Sequence, residues 1–186
     1  MIDDSYVKKI GNLSKEKQLL LGLCYVERNL QVVKEFDEFY NEELSESFAN
    51  KLEKAFNLLL NGLPNSKDIQ ESLEELEKML PDSEDYPEAQ GGLALNGLIM
   101  LCYCYRFIIT NQSENIVTVL NLTFETVDFI SYEVNNNCDC EIEFQKEFTL
   151  LDGYIEILND CQVIDEKIIV ILRETASKNM FANSIE

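Results

Sequence analysis

The sequence predicts an all-α protein: a single-domain, multihelical bundle of seven or eight helices around one buried apolar helix. Three observations predict it. Apolar residues recur at spacings of three and four almost throughout, the period that lines one face of a helix. Only three prolines and seven glycines interrupt 186 residues, too few for an all-β chain with a turn roughly every 8–12 residues. One stretch, residues 93–109, is apolar on every side, as a helix enclosed by others must be.

The first long stretch carries Leu19, Leu23, Val26, Leu30 and Val33, then Phe36 and Tyr40. Ser14 stands where its N-cap belongs, with Lys17 in place of the usual capping-box acid. Asn29 interrupts the pattern, so the stretch is one helix or two. Ser45 is placed to cap the next helix, which aligns Phe48, Leu52, Phe56 and Leu59 and stops at Gly62 and Pro64. Ser66 opens a third, with Ile69, Leu73, Leu76 and Leu80 in line and Pro81 beyond its end. Its other face, Glu71, Glu74, Glu75, Glu77 and Lys78, must be solvated.

Residues 81–92 hold two prolines, a glycine pair and four acids, and read as the one long loop. The apolar central helix follows. Ser113 is the expected cap of the next helix, with Ile116, Leu120, Val127, Ile130 and Val134 facing in. Asn135, Asn136 and Asn137 read as a loop. Phe144, Phe148, Leu151, Ile155 and Leu158 mark another helix, and Ile164, Ile168, Ile171 and Leu172 the last, before a polar tail. No internal repeat, heptad run or linker divides the chain, so residues 1–186 are expected to form one domain.

Charge bounds the partners. Thirty-five acidic and 15 basic residues give a formal net charge of −20. Such a surplus disperses the chain and repels phosphate backbones and anionic lipid. Nucleic-acid binding needs a basic patch, and no run of Lys or Arg exceeds Lys8-Lys9. Nucleic acid and membrane are therefore not expected partners; solubility alone is the competing account of the acidity. The apolar stretch contains Asn96, Gly97 and Arg106 and falls short of the ~20 residues a bilayer requires. The opening Met1-Ile2-Asp3-Asp4 lacks the basic and apolar regions of a signal peptide. Without one, six cysteines read as reduced thiols, and the expected location is the cytoplasm.

The chain has no histidine. Serine and cysteine triads, two-histidine metal motifs and most neutral-pH general bases need an imidazole. No GxGxxG, GxxxxGK[ST] or GxSxG occurs. Carboxylates are too frequent for any one pair to mark a glycosidase or a divalent-cation site, and no EF-hand spacing is present. Cys102 and Cys104, two apart on a helix, point to different sides and read as packing thiols. Cys138 and Cys140 flank Asp139 in a polar loop, where exposure would allow redox or metal chemistry. No catalytic residue, metal or cofactor is expected.

Acids and aromatics interleave twice: at residues 35–43, which run Glu35-Phe36-Asp37-Glu38-Phe39-Tyr40-Asn41-Glu42-Glu43, and at 82–88, which run Asp82-Ser83-Glu84-Asp85-Tyr86-Pro87-Glu88. A surface of this kind suits a basic protein, because aromatic rings anchor while charges steer. The simpler account turns Phe36, Phe39 and Tyr40 to the core and leaves the acids as solvation. The candidate partner-binding residues are Glu35, Asp37, Glu38, Tyr40, Asp82, Glu84, Asp85 and Tyr86.

Residues 17–30, Lys17-Gln18-Leu19-Leu20-Leu21-Gly22-Leu23-Cys24-Tyr25-Val26-Glu27-Arg28-Asn29-Leu30, resemble the N-terminal helix of the YjaG-like bacterial proteins, including its Glu-Arg pair near the helix end. Residues 73–85, from Leu73 through Pro81 to Asp85, are similar to that family's helix, proline and acidic loop, and the apolar helix after them fits as well. The tail from Asn179 to Ile185 and the loop from Asn135 to Cys140 depart from the family pattern. The family is a domain of unknown function, so the resemblance implies a multihelical fold and no reaction. Glu27 and Arg28 are expected to bind other helices rather than to form a site. The expected function is a non-enzymatic immunity-type protein that neutralises a basic nuclease toxin. A YjaG-like housekeeping role and a carboxylate–metal enzyme are the rivals.

Overall fold

A computed structural model describes residues 2–62, 66–134 and 140–181. The chain runs through α1 (Asp4–Gly11), α2 (Lys15–Glu27), α3 (Leu30–Tyr40), α4 (Leu44–Asn61) and α5 (Ser66–Lys78). It continues through α6 (Ala89–Thr110), α7 (Ser113–Phe129), a π-turn (Ile130–Val134), α8 (Cys140–Asp160) and α9 (Glu166–Lys178). The fold is an all-α single domain, as the periodicity predicts. The expected stop at Pro64, the loop at Asn135 to Asn137, Cys138 and the tail beyond Phe181 lie outside the described residues.

Local chemistry sets the helix ends. The Asp3 carboxylate accepts from the amides of Ser5 and Tyr6 at 2.9 and 3.1 Å and starts α1, which the periodicity did not predict. Ser14 caps α2 as expected, accepting from Lys17 at 3.4 Å. Asp165 caps α9 through the amide of Ile168 at 2.9 Å. Asn41 and Asn111 end α3 and α6 in the left-handed conformation, φ 58° and 55°, which asparagine tolerates better than most residues.

Two expected caps are corrected. Ser45 lies inside α4; the α4 start is held instead by Asp37 of α3, which accepts from the amides of Leu44 and Ser45 at 2.8 Å each. Ser113 is likewise the first residue of α7, with Gln112 in the cap position. The long acidic loop is also shorter than expected, because α6 begins at Ala89.

The apolar stretch is the centre of the bundle. Leu93, Ala94, Leu98, Met100, Leu101, Cys104 and Tyr105 of α6 are buried, and α2, α3, α5 and α7 pack around it. Its 22 residues are more than the sequence suggested and, by length and composition alone, enough to cross a membrane; 61% of the apolar window lies buried inside the bundle. Gly97 permits a close crossing. A Cβ there would stand 2.9 Å from the Asn29 Cβ, so α6 passes the α2–α3 break at near-backbone distance.

That break resolves the alternative at Asn29: the stretch is two helices. Three consecutive polar residues, Glu27, Arg28 and Asn29, are buried there, at 4%, 3% and 0% exposure. Arg28 Nη1 and Nη2 donate to Glu147 Oε2 and Oε1 at 2.6 and 2.5 Å, and Nε donates to the Asn179 carbonyl at 2.6 Å. The guanidinium also lies 4.2 Å from the Phe181 ring centroid. Glu27 accepts from Arg173 Nε at 2.9 Å, and Arg173 also pairs with Glu53. Each member of the Glu-Arg pair thus ties the α2 end to another helix: Glu27 to α9, and Arg28 to α8.

Burial pushes the Glu27 carboxyl up from its ordinary value; Arg173 opposes the shift and Glu53 adds to it. A carboxyl with a raised folded pKa favours folding when protonated, so its penalty at neutral pH fades as pH falls toward the ordinary value. Wild type should therefore gain stability relative to Glu27→Gln between pH 7 and pH ~5. Thermal melts of both proteins across that range test this. Parallel curves would show that Glu27 does not titrate with folding.

Candidate functional site

The two acid–aromatic segments meet on one surface. Phe36 and Tyr40 lie one helical turn apart on α3, and Tyr86 of the loop inserts beside both. Its ring centroid is 5.0 Å from Phe36 and 4.9 Å from Tyr40, edge to face in each case. Phe39 extends the cluster at 4.8 Å from Tyr40. Two polar bonds lock the junction: Tyr86 Oη donates to Glu42 Oε1 at 2.8 Å, and the Glu88 amide donates to Tyr40 Oη at 3.1 Å. The hydrogen bond to Glu42, then burial, raises the Tyr86 phenol above its usual value. The phenol therefore stays a donor at neutral pH.

Asp82 shapes the loop. Its carboxylate accepts from the Glu84 amide at 2.9 Å, and its carbonyl accepts from the amides of Asp85 and Tyr86 at 3.1 Å each. The turn leaves Asp82, Glu84 and Asp85 exposed while directing Tyr86 inward. Gly91, in the first turn of α6, backs this arrangement. A Cβ there would overlap the Tyr86 carbonyl oxygen and stand 2.8 Å from the Tyr86 Cβ, whereas one at Gly92 would meet the Phe129 ring at an ordinary 3.9 Å. Gly91→Ala is expected to cost about 1–3 kcal/mol through overpacking and to move Tyr86 off Glu42. Gly92→Ala should be neutral or stabilising, since alanine favours a helix. Urea unfolding of the pair checks the contrast.

Of the eight sequence-derived residues, Glu38, Asp82, Glu84 and Asp85 are exposed, and Glu35, Asp37, Tyr40 and Tyr86 are half-buried. Their roles differ. Asp37 is spent on capping α4, and Tyr40 and Tyr86 hold the two segments together. The core-facing account holds for Phe36, 2% exposed, and fails for Phe39, 57% exposed.

Between the α3–α4 turn and the loop lies an open groove of ≈ 530 Å³, with Phe36, Leu80, Pro81 and Tyr86 along it and Glu42 and Glu43 at its edge. Glu42, Glu43 and Phe36 were not among the expected site residues; the left-handed turn at Asn41, which brings both acids to the groove, breaks the helical period that sequence reading follows. Among the described residues, Glu35, Glu38, Glu42, Glu43, Asp82, Glu84 and Asp85 make no ion pair within 4.0 Å. The ion pairs lie elsewhere, as in Lys9–Asp152 at 2.8 Å and Arg106–Glu77 at 2.7 Å.

The thiols offer less. Among the described residues, Cys24, Cys102 and Cys104 are buried free thiols, and burial raises all three, Cys102 to about 11. Cys140, expected in a polar loop, instead opens α8, half-buried, with its thiol 3.2 Å from Asp128 Oδ1. Among the described residues no three Cys, Asp or Glu side chains converge as metal ligands.

A family model described as protein of unknown function (DUF416) matches residues 5–184. The chain belongs to this family. The match spans residues 135–140 and most of the tail, the two stretches that depart from the pattern, and the expected membership of an uncharacterised helical family holds. A crystal structure of a DUF416 family protein from Shewanella baltica OS155 is similar, with a TM-score of 0.79 and 18% identity. The likeness covers 92% of this chain and 93% of that one; at this identity it carries the DUF416 fold alone. A search of curated proteins gives no match.

Proposed function

We propose that this DUF416 chain is a non-enzymatic binding protein whose acidic–aromatic face caps a basic protein, most simply an immunity protein neutralising a nuclease-type toxin domain in the cytoplasm. The single observation that carries the reading is the union of the two segments through Tyr40, Tyr86 and Glu42. It concentrates carboxylates without ion pairs around a fixed aromatic cluster. A nuclease must be basic to hold phosphates, so a protein that occludes it gains from an opposing field and from rigid aromatic anchors. The reading takes no cofactor, no metal, no nucleic acid and no membrane as partner.

The test is capture with tagged chain, followed by assay of what is captured. The reading expects a basic protein whose nuclease activity disappears at one equivalent of this chain. A captured protein with neutral charge, or a nuclease left fully active in the complex, would defeat it.

A further inference from the structure

We propose that the groove between the α3–α4 turn and residues 79–86 receives an arginine- or lysine-bearing segment of the basic partner. This rests on the proposed function only in taking the partner to be a basic protein. A volume of ≈ 530 Å³ lies in the range that holds a small ligand or a short segment. Met79, Leu80 and Pro81, each half-buried, supply apolar surface for an aliphatic stem, as long basic side chains require. Tyr86 supplies a ring whose position is fixed by Phe36, Tyr40 and Glu42, so a cation can lie against it without ordering cost.

Charge selects the occupant. Glu42, Glu43, Asp82 and Asp85 line the same groove, with Lys78 as the chain's own cation beside them. An apolar segment would strip water from these carboxylates and return nothing, and an anionic one would be repelled. A cationic head replaces the lost water with charge-assisted hydrogen bonds. Arginine fits best, because its planar fork both pairs with carboxylates and stacks on aromatic rings.

The probe is a five-residue peptide, glycines flanking one arginine with both ends blocked, titrated into the full chain while the Phe36 and Tyr86 ring resonances are followed by NMR. The isosteric citrulline peptide is the uncharged control. The arginine peptide should shift both rings and the citrulline peptide should not. Tyr86→Ala should weaken binding roughly fivefold while Tyr86→Phe preserves it. Asp85→Asn, whose side chain holds no structural bond among the described residues, should weaken binding with the fold intact. Glu71→Gln with Glu74→Gln on the outer face of α5 should leave it unchanged. Equal binding of the citrulline peptide, or equal loss from the α5 variant, overturns the inference. Spermidine binding more tightly than the peptide assigns the groove to free polyamines and overturns it too. Peptide binding in a chain that protects against no nuclease sinks the immunity reading alone; nuclease protection without peptide binding sinks the groove alone.

Discussion

Glu147→Ala is expected to destabilise the protein by about 3–5 kcal/mol, a large share of the ~5–15 kcal/mol that holds a typical domain together. Glu147 is 7% exposed and takes both Nη groups of Arg28, itself 3% exposed. Without the carboxylate, the guanidinium keeps the Asn179 carbonyl and the Phe181 ring, neither of which carries a compensating charge. An unpaired buried cation cannot shed its proton, because arginine stays charged at any accessible pH. Arg28→Met should cost less, since the Glu147 side chain it strands is 10% exposed against 4% for that of Arg28. The double variant Arg28→Met, Glu147→Leu should recover most of the loss, because paired charges and apolar isosteres are often close in energy. Urea unfolding of wild type, Arg28→Met, Glu147→Leu and the double variant closes the cycle and gives the coupling directly. Additive losses would mean that the pair contributes nothing as a pair.

The sequence discloses this region only in part. Asn29 is legible as a break in the apolar run and Glu27 and Arg28 as a charged pair near the helix end, but not where their side chains go. The partners Glu147 and Arg173 lie 119 and 146 residues away along the chain, and helical periodicity describes only one element at a time. The same limit explains the caps. Ser14 and the Lys17 amide are neighbours in one turn, so local chemistry predicts the bond. Asp37 reaches α4 from the preceding helix, and no local pattern distinguishes it from a solvated acid. The short helix α1 buries only Ile10, too little to leave a stripe. The central helix α6 is legible for the opposite reason: α2, α3, α5 and α7 pack around it, and so many covered positions demand apolar residues on several sides.

The site follows the same division. Composition flagged both acid–aromatic segments, because nine carboxylates with Phe36, Phe39, Tyr40 and Tyr86 depart from a plain amphipathic pattern. Their contact did not show, since Tyr86 and Glu42 are 44 residues apart and only the packing of α5 and α6 closes the gap. The meeting changes what each residue can do. Asp37, Tyr40 and Asp82 become scaffolding, while Glu38, Glu84 and Asp85 are left with exposed side chains that hold no bond among the described residues.

Those three residues define the second large expected effect. Reversing Glu38, Glu84 and Asp85 to lysine should slow association with the captured basic partner ~100-fold at low salt and flatten the salt dependence of the rate. Each reversal moves the formal charge of −20 by two units, so some slowing follows from net charge wherever the residues lie. The control is an equal reversal at Glu125, Glu156 and Glu174, exposed on α7, α8 and α9, which changes the total identically but leaves the candidate face intact. A local docking field predicts only a few-fold loss for the control once the salt series reaches 0.1 M, where charges more than about 10 Å from the contact are largely screened. Stopped-flow association across a salt series separates the two. If both triple variants slow equally, the acidity acts as a general property of the molecule, and the face built by Tyr40 and Tyr86 has no claim to be where the partner lands.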